Sequence, residues 1–291
     1  MNLIGENLNI VSKKYGPALK ERNAGPVQEL ALAQTKAGMD YLDINIGPAR
    51  KDGDKFMEWV VKTVQAVTDL PLSLDTTNPI AMEAGLNAHR GKALINSISL
   101  ERMDAELPFV LKYNCDFVAL LWGRDGLPRD ANERGAIAAE LLYNANEKGI
   151  SNDRIWFDPI VTPAVNIASN HVKPCLEFMS MLPDIAPGAR SIVGLSNVSN
   201  GAPNNLRPYL NRTLLMMLMK YNLYSVILDA LDRELIDIAR GDRPELVKLV
   251  QRTMDGEIID PASISAEEVK YVKTVKVLLG EVLYSHSWLE N

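Results

Sequence analysis

The stretch YLDINIGPARKDGDKFMEWVVKTVQAVTDLPLSLDT, residues 41–76, decides the fold. It opens on a short apolar run that ends in polar residues, Tyr41–Gly47, with Asp43 and Asn45 within it. A helix-like stretch follows, Asp54–Val67, where Val60, Val61, Val64 and Val67 recur at three- and four-residue spacing. A second apolar run, Pro71–Thr76, ends in Asp75 and Thr76. Strand, helix and strand succeed one another without a linker.

The same alternation extends in both directions. Similar runs are Leu3–Asn9, Ala93–Ser97, Phe117–Trp122, Arg154–Asp158, Ser191–Asn197 and Ser225–Asp229, which makes eight in all. Helical patterns lie over Pro26–Ala37, Pro79–Ala88, Asn132–Lys148 and Leu206–Lys220. Pro79 and Pro208 stand near helix starts, where a missing N–H costs little. Gly38, Gly85 and Gly149 read as helix stops. Eight repeats predict an α/β fold of the (β/α)8 TIM barrel type, whose usual length of about 250 residues suits the chain. A doubly wound dinucleotide fold would carry GxGxxG after its first strand, and a phosphate-cradling loop would read GxxxxGK[ST]. Neither is present.

Arg240-Gly241-Asp242-Arg243-Pro244 breaks the pattern. We therefore expect residues 1–239 to form the barrel and residues 240–291 a helical addition packed on it. Leu246, Val247, Leu249 and Val250 give one short helix ending at Asp255-Gly256. Ser265 and Glu268 form a capping-box pattern at the start of another.

The chain has 31 Lys and Arg against 37 Asp and Glu, a net charge of −6. This argues against nucleic acid or an anionic membrane as partner. Two isolated cysteines exclude a disulfide framework and a cysteine zinc site. No apolar run reaches spanning length, and MNLIGENLNI lacks the pattern of a signal peptide. A cytoplasmic protein is expected.

Barrel enzymes place their active sites at the C-terminal ends of the strands. Here those ends carry Glu6, Asn7 and Asn9, then Asp43 and Asn45, Asp75, Asn96, Asp158 and Asn197. The set is almost wholly Asp and Asn. A Schiff-base aldolase needs a strand-end lysine, and a barrel zinc hydrolase needs clustered histidines. No strand-end lysine is visible, and His89, His171 and His286 are scattered, so no tightly bound metal is expected. Carboxylates and amides together suit a flat heterocycle with adjacent N–H donors and a carbonyl, such as a pterin. Singly, these residues have ordinary uses: Asp43 and Asn45 read equally well as loop braces. Asp40 and Asp116, at strand starts, read as plain turn residues. His89 reads as a solvated helix end, and His171 and Cys175 as surface or core residues.

IGENLN, LDINIGPA, LSLDTTN, ALINSIS, WFDPIVTPA and VGLSNVS, in this order, resemble the pterin-binding methyltransferases. The likeness is greatest to the methyltetrahydrofolate:corrinoid protein methyltransferases. Dihydropteroate synthase and the folate domain of cobalamin-dependent methionine synthase are more distant. The resemblance implies that Asp75, Asn96 and Asp158 hold the pterin ring, and that Gly194 and Ser196 line the same cavity. It makes Asn197 the catalytic residue near N5, the atom that carries the methyl group. It also gives Arg207 the place of an arginine beyond that motif and Glu6 the cavity floor. The loop 200–205 departs from the pattern: it is longer and lacks a glutamine, for which Asn200 is a weak substitute. Methyltetrahydrofolate or tetrahydrofolate is the implied substrate, with the corrinoid supplied by a partner protein, since the DxHxxG signature of cobalamin carriers is absent. A homodimer is implied as well. The alternatives are a dihydropteroate synthase-like enzyme, which needs basic residues for a diphosphate, and a non-catalytic folate-binding subunit.

Overall fold

The structure, a computed structural model, describes residues 1–166 and 172–290. Eight parallel strands close into a barrel in sequence order: β1 (Asn2–Asn9), β2 (Tyr41–Asn45), β3 (Leu72–Asp75), β4 (Leu94–Ile98), β5 (Asp116–Leu120), β6 (Ile155–Asp158), β7 (Arg190–Gly194) and β8 (Ser225–Leu228). Outside run α1 (Gly16–Lys20), α2 (Ala24–Lys36), α3 (Gly53–Gln65), α4 (Pro79–Ala88), α5 (Met103–Lys112), α6 (Ala131–Glu147), α7 (Val172–Ile185), α8 (Arg207–Met219) and α9 (Arg233–Arg240). Two further helices follow, α10 (Pro244–Met254) and α11 (Ala266–Leu278), and both pack against α8. Ser265 and Glu268 make the full capping box at the start of α11.

Apolar burial is divided by the strand pleat, which sends alternate side chains to opposite faces. Ile4, Leu94, Val118, Trp156, Ile192 and Ile227 fill the barrel interior. Leu3, Leu42, Leu74, Ile95, Phe117, Phe157 and Val193 face outward and pack under the helices. At the N-terminal end Trp156 meets Tyr41 and Tyr224 edge-on, and the Arg190 guanidinium lies over both Trp156 and Tyr224.

Several sequence readings need correction. Gly85 does not stop α4; it sits within it, and a Cβ there would lie 2.6 Å from Met57 Cγ on α3. The residue is glycine because two helices approach closely. Gly38 and Gly149 do follow helices with φ of 87° and 82°. Asp116 is no plain turn residue: its buried carboxylate faces Lys92 at 2.6 Å, Arg190 at 3.2 Å and Arg154 at 3.8 Å. Asp40 accepts from the Leu3 N–H at 2.8 Å and from Arg240 at 2.9 Å, tying the end of α9 to β1 and β2. His89 caps α4, but it is half-buried and its Nε2 accepts from the Leu72 N–H at 3.1 Å. The run Ser191–Asn197 is strand only to Gly194; Leu195–Ser199 is a 3-10 turn. Cys175 is buried in α7, and His171 lies outside the described residues.

Candidate active site

The polar residues of the strand ends converge on the C-terminal mouth, and two bulges aim them. Between Gly5 and Leu8 strand β1 carries one residue more than β2, and between Ile95 and Ile98 strand β4 carries one more than β5. An extra residue breaks strict alternation and redirects a side chain. The first bulge holds Glu6 and Asn7, and the second Asn96 and Ser97.

Hydrogen bonds then fix the set. Ser196 Oγ donates to Glu6 Oε1 at 2.5 Å, joining the turn after β7 to β1. Asn7 Nδ2 donates to Asp229 Oδ1 at 2.7 Å, just past β8. Asp43 Oδ1 accepts from Ser73 Oγ at 2.6 Å and from Asn96 Nδ2 at 3.0 Å. Asn45 Nδ2 donates to Asp75 Oδ2. Asp158 Oδ1 accepts from the Ile160 N–H at 2.8 Å. Asp75, Asn96 and Asp158 are thus not one bonded chain: Asp75 is braced by Asn45, Asn96 by Asp43, and Asp158 by its own turn. Asp43 and Asn45, equivocal in the sequence, orient the two residues expected to hold a ring. One oxygen of Asp75 and one of Asp158 have no donor among the described residues.

Burial dominates the electrostatics, because an ionised carboxylate loses hydration that the cavity wall does not fully replace. It raises Glu6 to about 7, with Ser196 opposing the rise and Asp229 adding to it. Burial likewise raises Asp43 and Asp158 to about 6 each. Asp75 is raised by burial and then by the Asp43 charge. In three acids the charge of an arginine opposes the rise: Arg102 for Asp75, Arg134 for Asp158 and Arg207 for Glu6. Arg102 is itself held by both oxygens of buried Glu106, at 2.8 and 2.9 Å, and donates to the Ser97 carbonyl at 2.6 Å. Sequence reading found neither Arg102, at the N-cap of α5, nor Arg134, in the first turns of α6, since an arginine near a helix start reads as solvated.

Asn197 lies on the turn after β7, exposed, and no described residue hydrogen-bonds its amide. Gly194 makes room for it: a Cβ there would sit 3.2 Å from Asn197 Nδ2. Asn200 is exposed beyond the turn, and Arg207 is the first residue of α8. Among the described residues no three His, Cys, Asp or Glu are grouped to hold a metal ion. No described helix is long and apolar enough to cross a membrane.

A mouth lined by buried acids and amides, with no lysine at a strand end, is a cage for an N–H-rich ring. Residues 8–220 match the family described as pterin binding enzyme. The chain belongs to the pterin-binding enzymes. Among known relatives of this pterin-binding enzyme is the methylcorrinoid:tetrahydrofolate methyltransferase of Eubacterium limosum. The two are 25% identical over 240 residues, which is 81% of this chain and 88% of the relative. Methionine synthase of Mycobacterium tuberculosis is 25% identical over 78% of the chain, which spans only 20% of that longer protein. Two solved dihydropteroate synthases share the fold. That of Yersinia pestis, with a sulfonamide drug, superposes with a TM-score of 0.66 at 17% identity, covering 84% of this chain and 94% of the other. That of Xanthomonas albilineans gives 0.64 at 19% identity, covering 84% and 92%. The closed barrel of this pterin-binding enzyme is the fold its eight sequence repeats predict.

Proposed function

We propose that the protein is a methyltransferase, moving a methyl group between N5 of methyltetrahydrofolate and the cobalt of a corrinoid carried by a partner protein. The observation that carries this reading is the pairing of two kinds of group at one mouth. Among the described residues, Asp75 and Asp158 each keep a carboxylate oxygen without a donor, and Asn197, on the turn after β7 at the same end of the barrel, is an exposed amide without a partner. The first two suit the 2-amino-4-oxo edge of a pterin, which offers paired N–H donors. Asn96, oriented by Asp43, adds an amide to the same face.

In the transfer to cobalt, the bond between the methyl carbon and N5 breaks and a carbon–cobalt bond forms. N5 keeps the electron pair and must carry a proton, because an amide anion is a poor leaving group. The reduced corrinoid supplies the nucleophile when its carrier docks. Asn197 stabilises the protonated N5 through its carbonyl, or donates to the neutral amine through its N–H. Glu6, raised to about 7, exchanges its proton near neutral pH and lies across a single hydrogen bond from Ser196, the neighbour of Asn197. The reverse direction, from methylcorrinoid to tetrahydrofolate, uses the same groups.

The rim suits a docking partner. Val11, Trp122 and Leu231 are exposed apolar residues on the loops after β1, β5 and β8, and Ile80 is exposed in the first turn of α4, after β3; all follow the strand ends that form the mouth. We favour this rim over α10 and α11 as the carrier's contact, and we propose that those helices, with the rest of residues 240–291, brace the barrel's flank. A homodimer in the cytoplasm completes the proposal.

A dihydropteroate synthase reading is favoured only by the shared fold. Its diphosphate leaving group would need cations at the ends of β7 and β8, where the chain has Gly194, Ser196, Asn197 and Asp229. The deciding experiment mixes the protein with methyltetrahydrofolate and free cob(I)alamin and follows the loss of Co(I) absorbance. Turnover supports the proposal. Folate binding without turnover points to a non-catalytic folate-binding subunit, and condensation of a pterin diphosphate with p-aminobenzoate points to the synthase.

A further inference from the structure

Arg134 on α6 is fully buried, yet every hydrogen bond it makes goes to a backbone carbonyl. Nε donates to Pro159 O at 2.8 Å, Nη1 to Asp130 O at 3.0 Å and Pro128 O at 3.3 Å, and Nη2 to Ile160 O at 3.5 Å. The planar fork gathers two segments: the approach to α6, and the turn directly after Asp158. A buried guanidinium is costly unless its donors are used, and here they are used on loop carbonyls.

The turn it grips is unusual. Ile160 has a φ of 60°, a left-handed conformation that a β-branched residue adopts only when its surroundings impose it. That conformation brings the Ile160 N–H onto Asp158 Oδ1 at 2.8 Å, and Oδ2 has no donor among the described residues. Arg134 thus holds the turn that aims Asp158.

Its charge acts in the same place. Among the described residues, Arg134 from α6 is the cation whose charge favours ionised Asp158, from its place on the Pro159 and Ile160 carbonyls, and Cys175 from α7 is the other titratable neighbour. Burial pushes the Cys175 thiol to about 12, so it stays neutral. The other acids near Arg134 are Asp130 and Glu133, and Glu133 is already engaged by Arg129. Asp158 therefore takes its positive neighbour from Arg134.

We infer that Arg134 is a positioning residue for the Asp158 side of the cavity, clamping the Pro159–Ile160 turn and keeping Asp158 ionised to accept a ligand's N–H groups. The ligand half of this inference rests on the pterin reading; the clamp and the charge do not.

The test uses the full chain with Arg134→Met and Arg134→Lys. The Asp158 carboxyl is titrated by carbon-13 NMR without ligand, with Asp158→Asn for assignment, and methyltetrahydrofolate affinity is measured by calorimetry across pH. In the Met variant the Asp158 midpoint should rise by about one unit from its value of about 6. Its folate affinity should fall about tenfold at neutral pH and recover in part toward about pH 8, as the carboxylate ionises again. The Lys variant keeps the charge without the fork, so its midpoint should match the wild type while affinity is lower at every pH. An unmoved midpoint in the folded Met variant would overturn the charge role. Wild-type affinity in the Lys variant would overturn the clamp, even if the Met variant does not fold. A wild-type protein that fails to bind methyltetrahydrofolate refutes the proposed function instead, and the ligand-free titration still decides the role of Arg134.

Discussion

Asp43→Asn separates what the cavity costs the fold from what it does for a ligand. Asp43 is 3% exposed and its pKa is raised from 3.8 to about 6, chiefly by burial. Between about pH 4 and pH 6 the native state therefore holds a proton that the unfolded chain has released, so stability falls as pH rises through that window. Each pKa unit corresponds to about 1.4 kcal/mol, which makes the penalty about 3 kcal/mol once Asp43 is ionised. Asparagine keeps an Oδ1 to accept from Ser73 and Asn96, the two bonds that hold the wild-type carboxylate. It never acquires the charge. The variant is thus expected to match the wild type near pH 4 and to exceed it by up to about 3 kcal/mol above pH 7, roughly 6 °C in Tm. Any unsatisfied amide N–H would subtract from that gain. The measurement is urea or thermal unfolding of both proteins at several pH values. A stability difference that is the same at pH 4 and pH 8, or a variant less stable at pH 8, would refute the reasoning.

Other outcomes follow from the same geometry. Asp75→Ala should abolish measurable methyltetrahydrofolate binding while circular dichroism stays native, because a hydrogen bond to a charged group is worth about 1.5–3 kcal/mol and the ring edge makes two; undiminished affinity by calorimetry would remove Asp75 from the site. Asn197→Ala should lower kcat and kcat/KM together, as loss of a transition-state interaction does, and a normal kcat with a raised KM would show that Asn197 only holds the ring. Trp122→Ala with Leu231→Ala should slow transfer to the corrinoid on its carrier and leave transfer to free cob(I)alamin unchanged; equal slowing of both would place the docking surface elsewhere.

The barrel was legible because each strand is a short apolar run ending in polar residues, and each run is separated from the next by a helical period. Asp75 and Asp158 stood out because a carboxylate at a strand end has no role in closing a barrel. Asp116 was misread because its three cations, Lys92 before β4, Arg154 before β6 and Arg190 at the start of β7, are far apart in the chain, and spacing carries no sign of that convergence. The bulge at Asn96 has no sequence signal of its own, since it depends on the register with β5. Gly85 carried the mark of a helix stop because close packing and left-handed turns both call for glycine. Arg102 stands just before α5 and Arg134 on α6, and only the fold brings their charges to bear on the acids.

The placing of two of its four indoles gives the protein a built-in optical gauge. Trp156 is sealed at the N-terminal end between Tyr41 and Tyr224, whereas Trp122 is 42% exposed at the mouth. Emission from the first should stay blue and resist aqueous quenchers until the barrel opens. Emission from the second should be red, quenchable by iodide, and dimmed when a chromophore such as a corrinoid settles over the rim. With Trp59 and Trp288, the other two indoles, replaced by Phe, adding Trp122→Phe removes one signal and adding Trp156→Phe the other, so docking and unfolding become separately visible by fluorescence in a single cuvette.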